Sequence, residues 1–104
     1  MKYRSLDNVV TPDSTLSCYT TDGFPKPHFN WHFITGPVDS ALYYTLHENR
    51  QQIYIKPNAP IGSHWQFNCS AKSAVMGLVK VIYKIIKFTI SSNCYRIINY
   101  LLIY

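Results

Sequence analysis

Apolar and polar residues alternate with a period of two along most of the chain. Leu16 and Cys18 share one face of the run Ser14–Thr20, and Phe29, Trp31 and Phe33 share one face of Pro27–Ile34. Phe67, Cys69 and Ala71 repeat the pattern further on. Because successive side chains of an extended chain point to opposite faces, each run reads as a half-buried β-strand. The same rule puts Ile53 and Ile55 inward on Gln51–Lys56, and Val79 and Val81 inward on Leu78–Tyr83, with Lys80 outward. A tyrosine-rich strand at Ala41–Leu46 and a short one at Asn8–Val10 complete the set. Thr11-Pro12-Asp13, Thr21-Asp22-Gly23, Gly36-Pro37 and His47-Glu48-Asn49-Arg50 are turn signals between them. On this register His28, Asn30, His32, Gln66 and Asn68 point outward.

Beyond residue 83 the pattern loosens. Lys84–Ile90 and Ile97–Tyr104 are oily, but Lys84, Lys87 and Arg96 interrupt them, and the longest uncharged runs are eight residues. A membrane-crossing helix needs about 20 mainly apolar residues. The Ile, Lys, Tyr, Asn, Phe and Leu of this stretch are the residues of AT-rich codons, as translation through an intron would give. The expectation is a loose segment at 1–7, a domain at 8–83, and an apolar basic tail at 84–104. Residues 86–104 are expected to add nothing to the fold, and attachment to a membrane through them is the lesser alternative.

Cys18, the stretch Gly23-Phe24-Pro25-Lys26-Pro27, Trp31 and Cys69 follow one another at the spacing of an immunoglobulin-type domain. The chain resembles that superfamily, closest to its I-set and C2-like members, over residues 8–83. The resemblance implies an all-β, immunoglobulin-like, two-sheet antiparallel sandwich of about seven strands, here with an extra C-terminal apolar tail. It also implies a Cys18–Cys69 disulfide between strands B and F, with Trp31 of strand C packed against it. The sequence departs from the family at the E–F corner. Phe67 stands where a tyrosine is usual, and the family's Asp-x-Gly-x-Tyr-x-Cys run is reduced to Ser63–Cys69, its glycine displaced to Gly62. Lys72, Ser73, Ala74, Val75, Met76 and Gly77 correspond to the F–G loop. With the region from Thr35 to Tyr44, the first five of these are the expected contacts, since loops at the ends of a sandwich vary freely.

At 104 residues the chain has room for one core. Its charge is lopsided: residues 1–48 hold five acids and three basic residues (−2), and residues 49–104 hold no acid and seven basic residues (+7). No nucleic-acid module accompanies that charge, and no nucleic acid is expected as a partner. Three cysteines leave Cys94 over once Cys18 and Cys69 pair, and a disulfide points to an oxidising compartment. Met1–Asp7 lacks the apolar run of a secretory leader, so with an extracellular parent this chain would be an internal piece of it or a sequence missing its first exon.

Chemistry is sparse. On a strand, His28 and His32 would lie about 13 Å apart, too far to share a metal. No Gly-x-Ser-x-Gly nucleophile context, carboxylate pair or phosphate-cradling glycine loop is present. No catalysis, metal or cofactor is therefore expected. Asn68-Cys69-Ser70 satisfies the N-glycosylation pattern, with Asn68 outward. Tyr43, Tyr44 and Tyr54 offer aromatic surface. The resemblance implies a non-catalytic recognition module of a cell-surface adhesion or receptor protein at the extracellular face of the plasma membrane. Its partners would be a protein ligand or neighbouring immunoglobulin-type domains. The alternative is a structural module of a cytoplasmic muscle or cytoskeletal protein, where such cysteines stay reduced.

Overall fold

A computed structural model describes residues 9–21, 23–75, 77–92 and 98–102. Within them the strands are β1 (Val9–Val10), β2 (Ser14–Thr20), β3 (His28–Thr35), β4 (Tyr44–Leu46), β5 (Gln52–Ile55), β6 (His64–Val75), β7 (Leu78–Ile90) and β8 (Ile98–Leu102). A 3-10 turn at Ser40–Leu42 takes the first residues of the expected tyrosine-rich strand. No α-helix occurs among the described residues, and no helix there is long and apolar enough to cross a membrane.

The strands form two four-stranded sheets, ordered β1-β7-β6-β3 and β4-β5-β2-β8. Cys18 on β2 and Cys69 on β6 are joined by a disulfide with Cα atoms 6.7 Å apart, tying one sheet to the other. With 51 residues between its ends, the bridge stabilises the fold by about 4 kcal/mol in the chain-entropy account. Trp31 lies opposite Cys69 in the β3–β6 ladder, and both are buried. A buried indole N–H needs an acceptor, and Trp31 Nε1 donates to the Gln51 carbonyl at 2.9 Å. That carbonyl also accepts from the Cys18 amide, while the Gln51 side-chain amide donates back to the Cys18 carbonyl at 2.7 Å. Gln51, just ahead of β5, thus holds the two residues of the pin.

Phe67, opposite the bridge end of the core, stacks nearly parallel with Trp65 and Phe88, at centroid separations of 6.0 and 6.1 Å. Phe33 and Tyr44 close this cluster, and Tyr44 meets Phe67 edge-on at 5.2 Å. Phe67 thus holds its place by packing alone, with no hydroxyl to hydrogen-bond. Gly36 leaves room for two of these rings. A Cβ at that position would stand 3.0 Å from the Phe33 ring and 3.1 Å from that of Trp65.

Several expectations are overturned. Val79 and Val81 point to solvent, and the inward residues of β7 are Ile86, Phe88 and Ile90. The β6–β7 ladder is continuous from His64 opposite Thr89 to Val75 opposite Leu78, so the inward parity is fixed by the aromatic end. The strand also passes residue 83 without a break and runs to Ile90, burying Ile86, Phe88 and Ile90 between the sheets. Residues 98–102 form β8, which pairs with β2 from Leu16 opposite Ile98 to Thr20 opposite Leu102. Leu102 is buried, and Tyr100 meets Trp31 edge-on at 6.1 Å. These segments cover apolar surface that the sandwich would otherwise expose. Nor is the sandwich wholly antiparallel: β8 runs parallel to β2 and β1 parallel to β7. The chain reaches β8 by leaving one sheet for the other, and a crossover of that kind permits parallel pairing. The loose segment expected at 1–7 and the spare Cys94 lie outside the described residues.

Candidate recognition surface

The unbroken β6–β7 register places two rows side by side on the outward face of the first sheet. On β6 the row is His64, Gln66, Asn68, Ser70, Lys72 and Ala74; opposite each in turn on β7 are Thr89, Lys87, Ile85, Tyr83, Val81 and Val79. On the other side of β6 come His28, Asn30 and His32 of β3. Apart from Ala74 the β6 row is polar, as are His28, Asn30 and His32 of β3, though Ile34 beyond them is exposed. Most of the β7 row is apolar. Val79, Val81, Tyr83 and Ile85 are 68, 53, 66 and 43% exposed, in consecutive outward positions.

The stripe has a physical cause in the sequence. Over residues 86–90 the apolar positions of β7 are even-numbered, whereas over 79–85 the odd positions are continuously apolar, with Lys80 and Lys84 between them. A bulge between the two halves would have turned both apolar sets inward. The ladder has none, so the second set faces out. Continuous exposed apolar surface is the feature that marks contact sites, whereas single exposed apolar residues are ordinary.

At the other end of the face, His64 Nδ1 and Thr89 Oγ1 are 2.9 Å apart, beside a shallow depression of about 330 Å³ lined by Thr35, Gln66 and Lys87 among others. His28 and His32 are both exposed, and no group of three or more metal-binding side chains converges among the described residues. Elsewhere the Tyr54 hydroxyl donates to Asp13, and that hydrogen bond holds its pKa above the usual phenol value of 10.0. Burial does the same for Tyr44.

The expected contact residues fare unevenly. Lys72, Ser73, Ala74 and Val75 belong to β6 itself, not to a loop, because the strand continues until two residues suffice for the turn to Leu78. Gly77, at φ 79°, supplies the positive φ that such a short connection needs. Ser73 is buried, and its hydroxyl donates to the Pro25 carbonyl, so its side chain is turned inward and not to solvent. Lys72 and Ala74 are exposed on the outward face, while Met76 and the side chain of Val75 lie outside the described residues. Asn68 keeps its outward position in mid-sheet but is half-buried, and its Oδ1 is covered with no hydrogen-bond partner. The stripe itself escaped the sequence reading, although its signal was present: an apolar parity that reverses within one strand.

Comparison with protein-family models, with curated proteins and with solved structures gives no match to this chain.

Proposed function

We propose that this chain is an immunoglobulin-type recognition module without catalytic activity, acting outside the cytosol as part of a cell-surface adhesion or receptor protein. The single observation that carries the reading is the apolar stripe Val79, Val81, Tyr83 and Ile85, left open on the flat face of a cross-linked sandwich. The strand order supports the immunoglobulin assignment. With β2, β3, β4, β5, β6 and β7 taken as B, C, D, E, F and G, the order B-E-D faces C-F-G. β8 occupies the position flanking B that strand A would hold, though in the parallel direction. The Cys18–Cys69 bridge supports an oxidising compartment. Partners are a protein ligand or adjoining domains of the same type. Such a module works by surface complementarity: a rigid sheet presents apolar side chains already ordered, so little conformational entropy is lost on contact.

The test is to display the full chain as an oligomer, to gain avidity, and to stain a panel of cells expressing single surface proteins. Binding to a defined receptor that is lost in the Val81→Thr/Tyr83→Thr variant is the expected result. Staining that the variant retains would sink the assignment of this face. Thiol titration of the protein from its native tissue checks the compartment: Cys18 and Cys69 should be protected, and free thiols at both would favour a cytoplasmic structural module.

A further inference from the structure

We infer that the β7 face takes a protein of a different kind from this chain, whose docking surface is apolar at its centre and rimmed by carboxylates. The inference rests on the recognition reading above and names the partner's chemistry. Strands β3, β6 and β7 carry Lys72, Lys80, Lys84 and Lys87 and not one aspartate or glutamate. Lys72 stands directly opposite Val81 in the ladder, and Lys87 continues the stripe beyond Ile85 on the same face. Both are exposed. A partner that buries the stripe must bring its own negative charge to this rim, because lysines facing neutral or like-charged surface lose hydration without compensation.

A second copy of the chain cannot supply that charge through the same face. Face against face, it would set lysines near lysines, a like-charge arrangement that disfavours pairing. Among the described residues β1 covers the outer side of β7 only at Thr89 and Ile90, and addition of a strand along the rest of that side is disfavoured too. Lys80 and Lys84 share the inward parity of Ile86 and Phe88, and inward-directed lysines are a known guard against edge pairing. The partner therefore lies on the face. A lipid surface fits less well, because Asn68 and Ser70 sit half-buried beside the stripe and hydrocarbon offers them no hydrogen bonds.

The experiment selects binders to the full chain from a random peptide library displayed on phage. Three proteins are compared: wild type, Val81→Thr/Tyr83→Thr, and Lys72→Glu/Lys87→Glu. Enriched peptides should combine aspartate or glutamate with apolar residues. Each double variant should weaken them by about tenfold or more, the effect of removing a hot spot, and the binding should fall as salt rises from about 0.1 to about 0.5 M. If the apolar variant abolishes binding while the charge-reversed one leaves it intact, the recognition reading survives and the acidic-partner inference fails. No enrichment, neutral or basic peptides, or peptides indifferent to both variants would also overturn the inference. So would a wild-type dimer in sedimentation velocity that the apolar variant dissolves. Stripe-dependent binding to phosphatidylcholine–phosphatidylserine vesicles in place of acidic peptides would overturn it in favour of a lipid surface.

Discussion

The two halves of β7 are built from the same kinds of residue and meet opposite fates. Ile86, Phe88 and Ile90 are sealed between the sheets, Phe88 stacked on Trp65 and Phe67. Val79, Val81, Tyr83 and Ile85 stand in the same strand, in the same ladder, and face solvent. Composition does not separate them; parity does. Once Phe88 is inward, the pleat sends every odd residue of the strand outward, however apolar. The buried half thus supplies stability, and the exposed half supplies the apolar surface proposed above as a contact site.

The sharpest way to break this contrast is to remove the buried half. A chain ending at Ile85 would lose Ile86, Phe88 and Ile90 together with β8, which contributes Leu102 and the Tyr100–Trp31 contact. Large core side chains are worth about 2–5 kcal/mol each when truncated, and a whole domain is stable by about 5–15 kcal/mol. The shortened chain should show no cooperative melting transition by circular dichroism. A sharp transition near that of the full chain would mean the C-terminal strands are dispensable. At one residue, Phe88→Ala should cost about 3–5 kcal/mol, read as a lower urea midpoint at unchanged slope.

Much of the sandwich was legible beforehand because most strands have one apolar parity. Leu16 and Cys18, Ile53 and Ile55, and Phe67, Cys69 and Ala71 are each buried as their alternation requires. Trp31 is buried and its neighbour His32 exposed, so the register of β3 was readable too. β7 was not, because Lys80 and Lys84 make the even face of its first half look solvated, and only pairing with Trp65 and Phe67 reveals that the second half rules. β8 was unreadable for a different reason. Its partner is chosen by a crossover between sheets, and nothing local in Ile98–Leu102 specifies Leu16–Thr20 as its neighbour. The expectation of a contact loop at residues 72–77 rests on loops usually carrying function, whereas here the strands run almost to the turn.

A smaller effect separates the two ends of the buried region. The aromatic end is held by stacking, but the disulfide end relies on a directed hydrogen bond from Trp31 Nε1 to the Gln51 carbonyl. Trp31→Phe keeps an aromatic ring and loses that donor. Gln51 O retains the Cys18 amide as a partner, so no acceptor is orphaned. The expected cost is about 1–2 kcal/mol, one hydrogen bond plus imperfect filling of the site. Urea denaturation of the oxidised protein measures it. A cost equal to that of Phe88→Ala would mean that packing alone governs both ends.

The smallest expected effect is the one that decides the contrast. Val81 is half-exposed on the outward row, opposite Lys72 and away from the aromatic stack. Threonine has nearly the same shape and a similar preference for extended backbone, so Val81→Thr changes only one methyl to a hydroxyl. On a solvated face that hydroxyl finds water, and the cost should stay within about 0.5 kcal/mol. For a domain of this size the melting temperature should then move by no more than about 4 °C. In a core the same hydroxyl would be desolvated without a partner, at about 1–3 kcal/mol. Val10→Thr provides that reference inside the molecule, since Val10 is fully buried. If the two substitutions cost the same, the odd face of β7 is not open to solvent, and the stripe is a buried surface with no role in recognition.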